Sequence, residues 1–196
     1  MNETSAWVIF IAAVLTNNIL LTNFLGICSF VACSGRIRTA VGLGTAVTFV
    51  LTMTTLLNYL IYHGLLVPLQ LEHLTFIVFI VVIAAFVQFV EMFVERFSLK
   101  LYFALGIFLP LITVNCAILG ASLFMVIRSY SLAQSVGFGM GAGLGWALAI
   151  VLMAGLRQKM QYSNIPQPFQ GVPIAMMVTC VLAMAWMGFA GMVSIQ

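Results

Sequence analysis

The stretch "PLITVNCAILG" at residues 110–120 places a proline, a threonine, an asparagine and a cysteine inside a long apolar segment. Proline has no backbone N–H to donate, and its ring disrupts the preceding turn of a helix. In lipid, each backbone group freed by a break costs several kcal/mol unless protein or a polar cavity satisfies it. The stretch therefore predicts a helix interrupted inside the membrane, with Thr113 and Asn115 placed to satisfy the freed groups.

The composition leaves no room for a soluble domain. Of the 196 residues, 64% are hydrophobic and only 6% are charged, whereas a soluble domain is about 25% charged. We therefore expect an all-α integral membrane protein whose single transmembrane domain spans residues 1–196. Its expected surroundings are the lipid bilayer and other membrane proteins, with no nucleic acid.

Six apolar segments are candidates for membrane spans, because a helix that crosses the hydrocarbon core needs roughly 20 apolar residues. The first and the fourth are longer than a straight span requires, and each holds a polar interruption, "TNNILLTN" at 16–23 and "PLITVN" at 110–115. The predicted spans are 5–33, 40–62, 74–95, 101–127, 133–155 and 171–194.

The basic residues predict the orientation, because cytoplasmic loops carry an excess of Lys and Arg. The loops 34–39, 96–100 and 156–170 hold nearly all of them, and the opposite side holds only Arg128. We therefore expect these three loops in the cytoplasm and both termini outside. The basic residues on the cytoplasmic side are Arg36, Arg38, Arg96, Lys100, Arg157 and Lys159.

The two halves of the chain, about 1–98 and 99–196, resemble each other. "AVGLGTAV" at 40–47 aligns with "SVGFGMGAG" at 135–143, and a cysteine follows each polar interruption. Because each half has an odd number of spans, the halves must enter the membrane in opposite orientations. The pattern predicts an inverted repeat whose broken helices meet near the bilayer midplane.

The two cysteines that follow the interruptions are candidate metal ligands. Cys116 is expected at the start of a half-helix and Cys28 within about a turn of another, and helix N-termini favour the thiolate that binds metals. An iron–sulfur or zinc site normally takes four ligands. Cys33 lies about 140° around the helix from Cys28, and Cys180 is expected to pack as a small apolar residue. The residues thus indicate half of a site, shared with a partner chain.

Two other features are open to a functional and to a structural interpretation. Glu91 is the only carboxylate inside an apolar segment, which makes it a candidate for a proton or cation path. It also fits a side chain that reaches the cytoplasmic interface. Gly137, Gly141 and Gly145 recur every fourth residue, which favours close helix packing over a phosphate-binding loop.

Three stretches carry a resemblance to a known family. "LGIFLPLITVNCAILG" at 105–120, "NFLGICSF" at 23–30 and "FGMGAGLGWALAIVLMAGLRQKMQYSNIP" at 138–166 resemble the small paired membrane subunits of bacterial respiratory ion pumps. These are the D and E subunits of the sodium-translocating NADH:quinone reductase and the A and E subunits of the Rnf complex. The third stretch is most similar to the E subunit of the sodium pump, whereas "TNNILL" and "AVGLGTAVTFVLT" are also similar to the A subunit of Rnf.

The resemblance implies a fold, a cofactor and partners. It implies six spans in inverted halves, and pairing with a homologous subunit of opposite orientation in the bacterial inner membrane. The pair would hold a 2Fe–2S cluster with two cysteines from each chain, here Cys28 and Cys116, in a site shaped by Gly26, Thr113 and Asn115. NADH and flavins would bind only to other subunits, namely flavin-bearing membrane subunits and a cytoplasmic NADH-oxidising flavin and iron–sulfur subunit. The chain would carry electrons toward quinone, coupled to translocation of sodium or protons, and would be active only within its complex.

Two other functions stay open on the sequence alone. Inverted repeats with broken helices are also typical of secondary transporters. A purely structural membrane subunit, in which the cysteines merely pack, is the third possibility.

Overall fold

The computed structural model describes residues 5–97, 109–163 and 166–188, and among these residues helices and turns occur but no strand. The all-helical prediction is therefore confirmed for this part of the chain. The α-helices are α1 (Ala6–Leu15), α2 (Ile27–Cys33), α3 (Ile37–Ile61), α4 (Thr75–Phe97), α5 (Leu109–Thr113), α6 (Cys116–Ile127), α7 (Leu132–Met160) and α8 (Val172–Met187).

Three helical stretches are long and apolar enough to cross a membrane: Ile37–Leu66, Thr75–Phe93 and Leu132–Met160. The first of them continues α3 through a π-helical segment, Tyr62–Leu66. Shorter apolar helices lie within the other three predicted spans, at Ala6–Leu15, Leu111–Ile127 and Val172–Met187. Residues 101–108 of the fourth predicted span and 189–194 of the sixth lie outside the described residues.

The long helices α3 and α7 pack against each other at the centre of the protein. Small residues allow the close approach: a Cβ atom added to Gly143 would lie 2.7 Å from Thr48 Cα, and one added to Gly44 would lie 3.0 Å from Ala147 Cβ. Close backbone approach at small residues is the usual way in which helices associate in lipid, where no hydrophobic driving force acts between them.

A second glycine face of α7 packs against α1. Cβ atoms added to Gly137, Gly141 and Gly145 would each lie within 3.1 Å of a backbone carbonyl oxygen of α1, at Ala6, Phe10 and Ala13 respectively. The prediction that this glycine series serves close helix packing is therefore confirmed.

Replacing Gly141 by alanine should destabilise the protein, because the new Cβ atom would lie 2.7 Å from Phe10 O and 2.9 Å from Ala13 Cβ. Overpacking of this kind typically costs about 1–3 kcal/mol. Gly155→Ala on the same helix is the matched control, since nothing lies within 4 Å of its added Cβ atom and alanine favours a helix over glycine by about 1 kcal/mol. Thermal unfolding in detergent measures both; equal midpoints for the two variants would contradict this account of the α1–α7 contact.

The outer faces of α4 and α8 are apolar. Large hydrophobic side chains stand exposed along both helices, and they include Phe76, Ile77, Val81, Phe89, Val181 and Met184. Contiguous exposed apolar surface of this extent is typical of a face that contacts lipid or another subunit.

Helix contacts recur between the two halves of the chain. In the first half α2 contacts both α3 and α8, and in the second half α6 contacts both α7 and α4. The helix that follows each interruption thus touches the long helix of its own half and the outer helix of the other half. This arrangement brings the two interruptions toward the same region of the protein.

Candidate functional site

The two interruptions meet at a direct contact. The backbone N–H of Gly26, at the end of the first interruption, donates a hydrogen bond to Cys116 Sγ, and the N–S distance is 2.9 Å. Cys116 begins α6 directly after the second interruption. The contact joins residues that lie 90 positions apart in the sequence, so the candidate site contains both breaks.

The first interruption is longer than predicted, covering 16–26 instead of 16–23. The fully buried side chain of Asn18 organises it: Oδ1 accepts from the backbone N–H of Leu20 at 3.0 Å, and Nδ2 donates to the carbonyl of Gly145 at 2.7 Å. Asn18 therefore satisfies part of the non-helical backbone and ties it to α7.

Gly26 ends this interruption in the left-handed region of backbone conformation, with φ +83°. An L-residue with a side chain rarely adopts that conformation, whereas glycine adopts it at little cost. Its carbonyl accepts a hydrogen bond from Ser29 Oγ at 3.1 Å. Gly26 thus turns the chain into α2, whose second residue is Cys28.

The second interruption is narrower than predicted. Pro110 lies within α5, and the residues between α5 and α6 are Val114 and Asn115 alone; the turn preceding Pro110 lies outside the described residues. Asn115 is the N-cap of α6, and its Oδ1 accepts from the backbone N–H of Ala117 at 3.1 Å. The asparagine bonds the N–H two residues ahead, as Asn18 does in the first interruption.

Both candidate ligands face away from the core of the chain. Cys28 and Cys116 are exposed, although the residues that directly follow them, Ser29 and Ala117, are fully buried. Cys116 is the first residue of α6 and Cys28 the second residue of α2, so the predicted positions at helix starts are confirmed. The two thiols are therefore open to a group or a chain outside this one.

The other two cysteines differ from these. Cys33 is buried, with 2% of its surface exposed, in agreement with the prediction that it points elsewhere from Cys28. Cys180 was expected to pack, but it is exposed on α8, because that face of the helix is turned away from the rest of the chain. Among the described residues no three side chains of the His, Cys, Asp or Glu type are grouped to hold a metal ion.

Two buried N–H donors adjoin the contact between Gly26 and Cys116. Among the described residues, Trp146 Nε1 and Asn115 Nδ2 have no hydrogen-bond partner, although Trp146 is fully buried and Asn115 is 2% exposed. A Cβ atom added to Gly26 would lie 2.6 Å from Trp146 Nε1 and 3.0 Å from Asn115 Oδ1, so both side chains reach this glycine. An unsatisfied buried donor costs about 1–3 kcal/mol.

The chemistry of this set of groups fits an anionic, sulfur-rich ligand. Two exposed thiols supply soft metal ligands, and the polar groups beside Cys116 that lack an acceptor are N–H donors. Donors of this kind stabilise the negative charge of thiolates and sulfides. The residues present therefore fit half of an iron–sulfur cluster site.

Arg157 holds the far end of α2, a role that the sequence did not reveal. Its Nη1 donates to the carbonyl of Val31 at 2.9 Å and to Ser34 Oγ at 2.8 Å. A cation at a helix C-terminus is favourable because the last carbonyls lack partners and carry partial negative charge. The contact fixes the short helix that carries Cys28, and no local pattern in the sequence joins positions 31 and 157.

Of the other predicted site residues, Thr113 lies close to Cys116 in the sequence, whereas Glu91 lies on a different helix. Thr113 is the last residue of α5, directly before the second interruption. Glu91 is half-buried on α4, between the exposed side chains of Gln88 and Glu95. The structure thus brings Gly26, Asn115 and Cys116 together and places Glu91 on a separate helix.

Comparison with known proteins identifies relatives over nearly the whole chain. Residues 6–193 match the family model described as "Rnf-Nqr subunit, membrane protein". The E subunit of the Na(+)-translocating NADH-quinone reductase of Chlamydia muridarum is 51% identical over 195 residues, covering 93% of this chain and 80% of the relative. Its counterpart in Pseudoalteromonas translucida is 47% identical, covering 93% and 96%.

A relative from a ferredoxin:NAD(+) oxidoreductase complex has nearly the same sequence identity to this chain. The A subunit of the Na(+)-translocating ferredoxin:NAD(+) oxidoreductase complex of Acetobacterium woodii is 45% identical over 184 residues, covering 94% of this chain and 96% of the relative. These relatives are subunits of oxidoreductase complexes, as their names state. With the match of the family model over 6–193, they show that the chain belongs to the Rnf-Nqr family of membrane subunits.

Proposed function

We propose that the chain is a membrane electron-transfer subunit of an ion-translocating oxidoreductase, of the NADH:quinone reductase type or the Rnf type, and that it acts only within its complex. The observation that carries the proposal is the joining of the two interruptions by the Gly26–Cys116 contact. It leaves the thiols of Cys28 and Cys116 exposed at the starts of two helices. The names of the relatives supply the class of reaction.

Cys28 and Cys116 are proposed to hold a 2Fe–2S cluster together with two cysteines of a homologous subunit. Such a cluster takes four cysteine ligands and carries single electrons. This chain supplies two outward-facing thiols and buried N–H donors beside one of them. Asn18, Asn115 and Gly26 fix the backbone of the two breaks and keep the helix starts directed at the shared site.

We further propose six membrane spans in two inverted halves, with both termini outside and the loops rich in Arg and Lys in the cytoplasm. The reciprocal contacts of α2 with α8 and of α6 with α4 support an exchange of equivalent helices between the halves. Each half presents one asparagine-stabilised interruption followed by a cysteine, which supports the same symmetry.

The partners proposed for the chain follow from its incomplete site and from its relatives. A homologous six-helix subunit of opposite orientation would supply the other two ligands. Flavin-bearing membrane subunits and a cytoplasmic NADH-oxidising flavin and iron–sulfur subunit would exchange electrons with the pair in the bacterial inner membrane. Sodium translocation is part of the names of several relatives, and we propose sodium as the ion here.

Glu91→Gln should weaken sodium translocation if Glu91 lies on the ion path, because a half-buried carboxylate within an apolar helix is a cation ligand by its chemistry. We expect roughly tenfold more sodium for half-maximal pumping in membrane vesicles. Glu95→Gln is the control, since Glu95 is exposed beside Arg96 at the end of the same helix. An unchanged sodium dependence of the Glu91 variant would place this side chain at the interface and outside the ion path.

The cluster proposal is tested on the chain purified together with its homologous partner. We expect about two iron atoms and two acid-labile sulfides for each pair of chains, and an EPR signal that appears on reduction. A well-folded pair that contains neither iron nor labile sulfide after anaerobic preparation would refute the proposal.

A further inference from the structure

Trp146 lies where the two interruptions meet, and its indole N–H has no acceptor in the part of the chain that the structure describes. The ring is fully buried, and no described residue accepts a hydrogen bond from Nε1. Nε1 lies directly against Gly26, since a Cβ atom added to that glycine would lie 2.6 Å from Nε1. The backbone N–H of that same glycine donates to Cys116 Sγ. The free indole donor is thus adjacent to the residue that holds the sulfur.

The neighbours of Trp146 fix the position of its backbone. The carbonyl of the preceding residue, Gly145, accepts from Asn18 Nδ2 at 2.7 Å, and a Cβ atom added to Gly145 would lie 3.1 Å from Ala13 O. The first contact holds α7 to the first interruption and the second holds it to α1, so packed backbone fixes the position of the indole at the site. A buried donor in a dry apolar region needs an acceptor, since no water is available there to replace one.

We propose that, when Cys116 is a ligand of the iron–sulfur group, Trp146 Nε1–H donates a hydrogen bond to the Cys116 sulfur that Gly26 N–H already contacts, and that this bond raises the reduction potential of the group. This inference rests on the proposed function. Hydrogen bonds to the sulfurs are one of the established determinants of cluster potential. Gain of one electron makes the sulfurs more negative, so a donor stabilises the reduced form more than the oxidised form. Trp146 is therefore a positioning and tuning residue and not a ligand.

Trp146→Phe tests the proposal, because phenylalanine keeps an aromatic ring and removes the donor. In the purified pair of subunits we expect iron to be retained and the midpoint potential, measured by EPR during redox titration, to become more negative. The expected change is about tenfold in the one-electron equilibrium, which corresponds to about 59 mV. Trp7→Phe is the matched control, since Trp7 is 74% exposed on α1, and it should leave the potential unchanged.

A measurement on the unsubstituted protein makes the test independent of the folding of the variant. With ¹⁵N-labelled tryptophan, pulsed EPR of the reduced cluster should show a coupling to an indole nitrogen, and Trp7→Phe should leave this coupling in place. Absence of the coupling, or an unchanged potential in an iron-loaded Trp146→Phe protein, would overturn the role of Trp146 alone. Absence of iron from the unsubstituted pair would instead overturn the proposed function.

Discussion

Serine in place of Cys116 should abolish the EPR signal of the reduced subunit pair and reduce its iron content at least about tenfold. Mutation of residues that only hydrogen-bond to a metal ligand already lowers metal affinity by about tenfold or more, and loss of the ligand itself should have a larger effect. A serine hydroxyl is a poor ligand for iron compared with a thiolate, because it is harder and far less easily deprotonated. The same result is expected for Cys28→Ser. The measurement is iron and labile sulfide for each protein pair, with EPR after reduction by dithionite.

Cys180→Ser is the matched control for these variants. Cys180 is exposed, like Cys28 and Cys116, but it lies on α8 and follows no interruption. Its replacement should leave iron and the EPR signal unchanged, and so should replacement of the buried Cys33, apart from a small loss of stability for a hydroxyl in an apolar core. Full iron in the Cys116→Ser protein would remove this residue from the ligand set.

Hydropathy and polar interruptions were sufficient to predict the all-helical class and the three long apolar helices of the described residues. Long apolar segments bounded by charges predicted the three helices that are long enough to span a membrane, and the predicted ends lie within about five residues of the observed ends. The positions of Cys28 and Cys116 at helix starts also followed from the sequence, because a polar interruption inside an apolar segment predicts where the next helix begins. The local sequence pattern predicts the helix boundaries here because each unpaired backbone group in lipid is energetically unfavourable.

The extent of the first interruption depended on contacts that the sequence does not display. The polar series ended at Asn23, but the chain stays non-helical through Gly26 because Asn18 bonds the carbonyl of Gly145 and Gly26 meets Cys116. Each of these contacts joins the two halves of the chain. Such pairings are set by how the helices pack, and periodicity within one segment cannot predict them.

Trp146 and Arg157 were missed for the same reason. In the sequence, Trp146 follows a glycine in an apolar helix and resembles an ordinary core residue. Arg157 is one of several basic residues that predict the cytoplasmic side, and nothing in the sequence distinguishes it from the others. Only the packing of α7 shows that one reaches Gly26 and the other holds the end of α2. The lone signal in the sequence was the glycine series, which indicated that other backbone would lie against this helix.

Alanine in place of Gly26 should disrupt the candidate site almost as completely as loss of a cysteine. With φ at +83°, a residue with a Cβ atom is strained by roughly 1–2 kcal/mol. The added Cβ atom would also lie 2.6 Å from Trp146 Nε1 and 3.1 Å from Ala117 Cβ. Relief of these contacts requires displacement of the Trp146 ring together with movement of Gly26 away from Cys116 or of α6 away from α2, and these shifts disturb the present arrangement of the two thiols.

Gly35→Ala supplies the matched control at the other end of α2, because nothing lies within 4 Å of its added Cβ atom and its φ is not positive. We expect Gly35→Ala to retain iron, and Gly26→Ala to lose most of its iron and about 2–5 kcal/mol of stability, the sum of backbone strain and overpacking. Iron content and thermal unfolding of the purified pair are measured side by side. Because both substitutions add the same methyl group beside the same short helix, a difference between them isolates the left-handed turn and its contact with Cys116. Full iron loading of Gly26→Ala would mean that the hydrogen bond from Gly26 to Cys116 does not position the ligand.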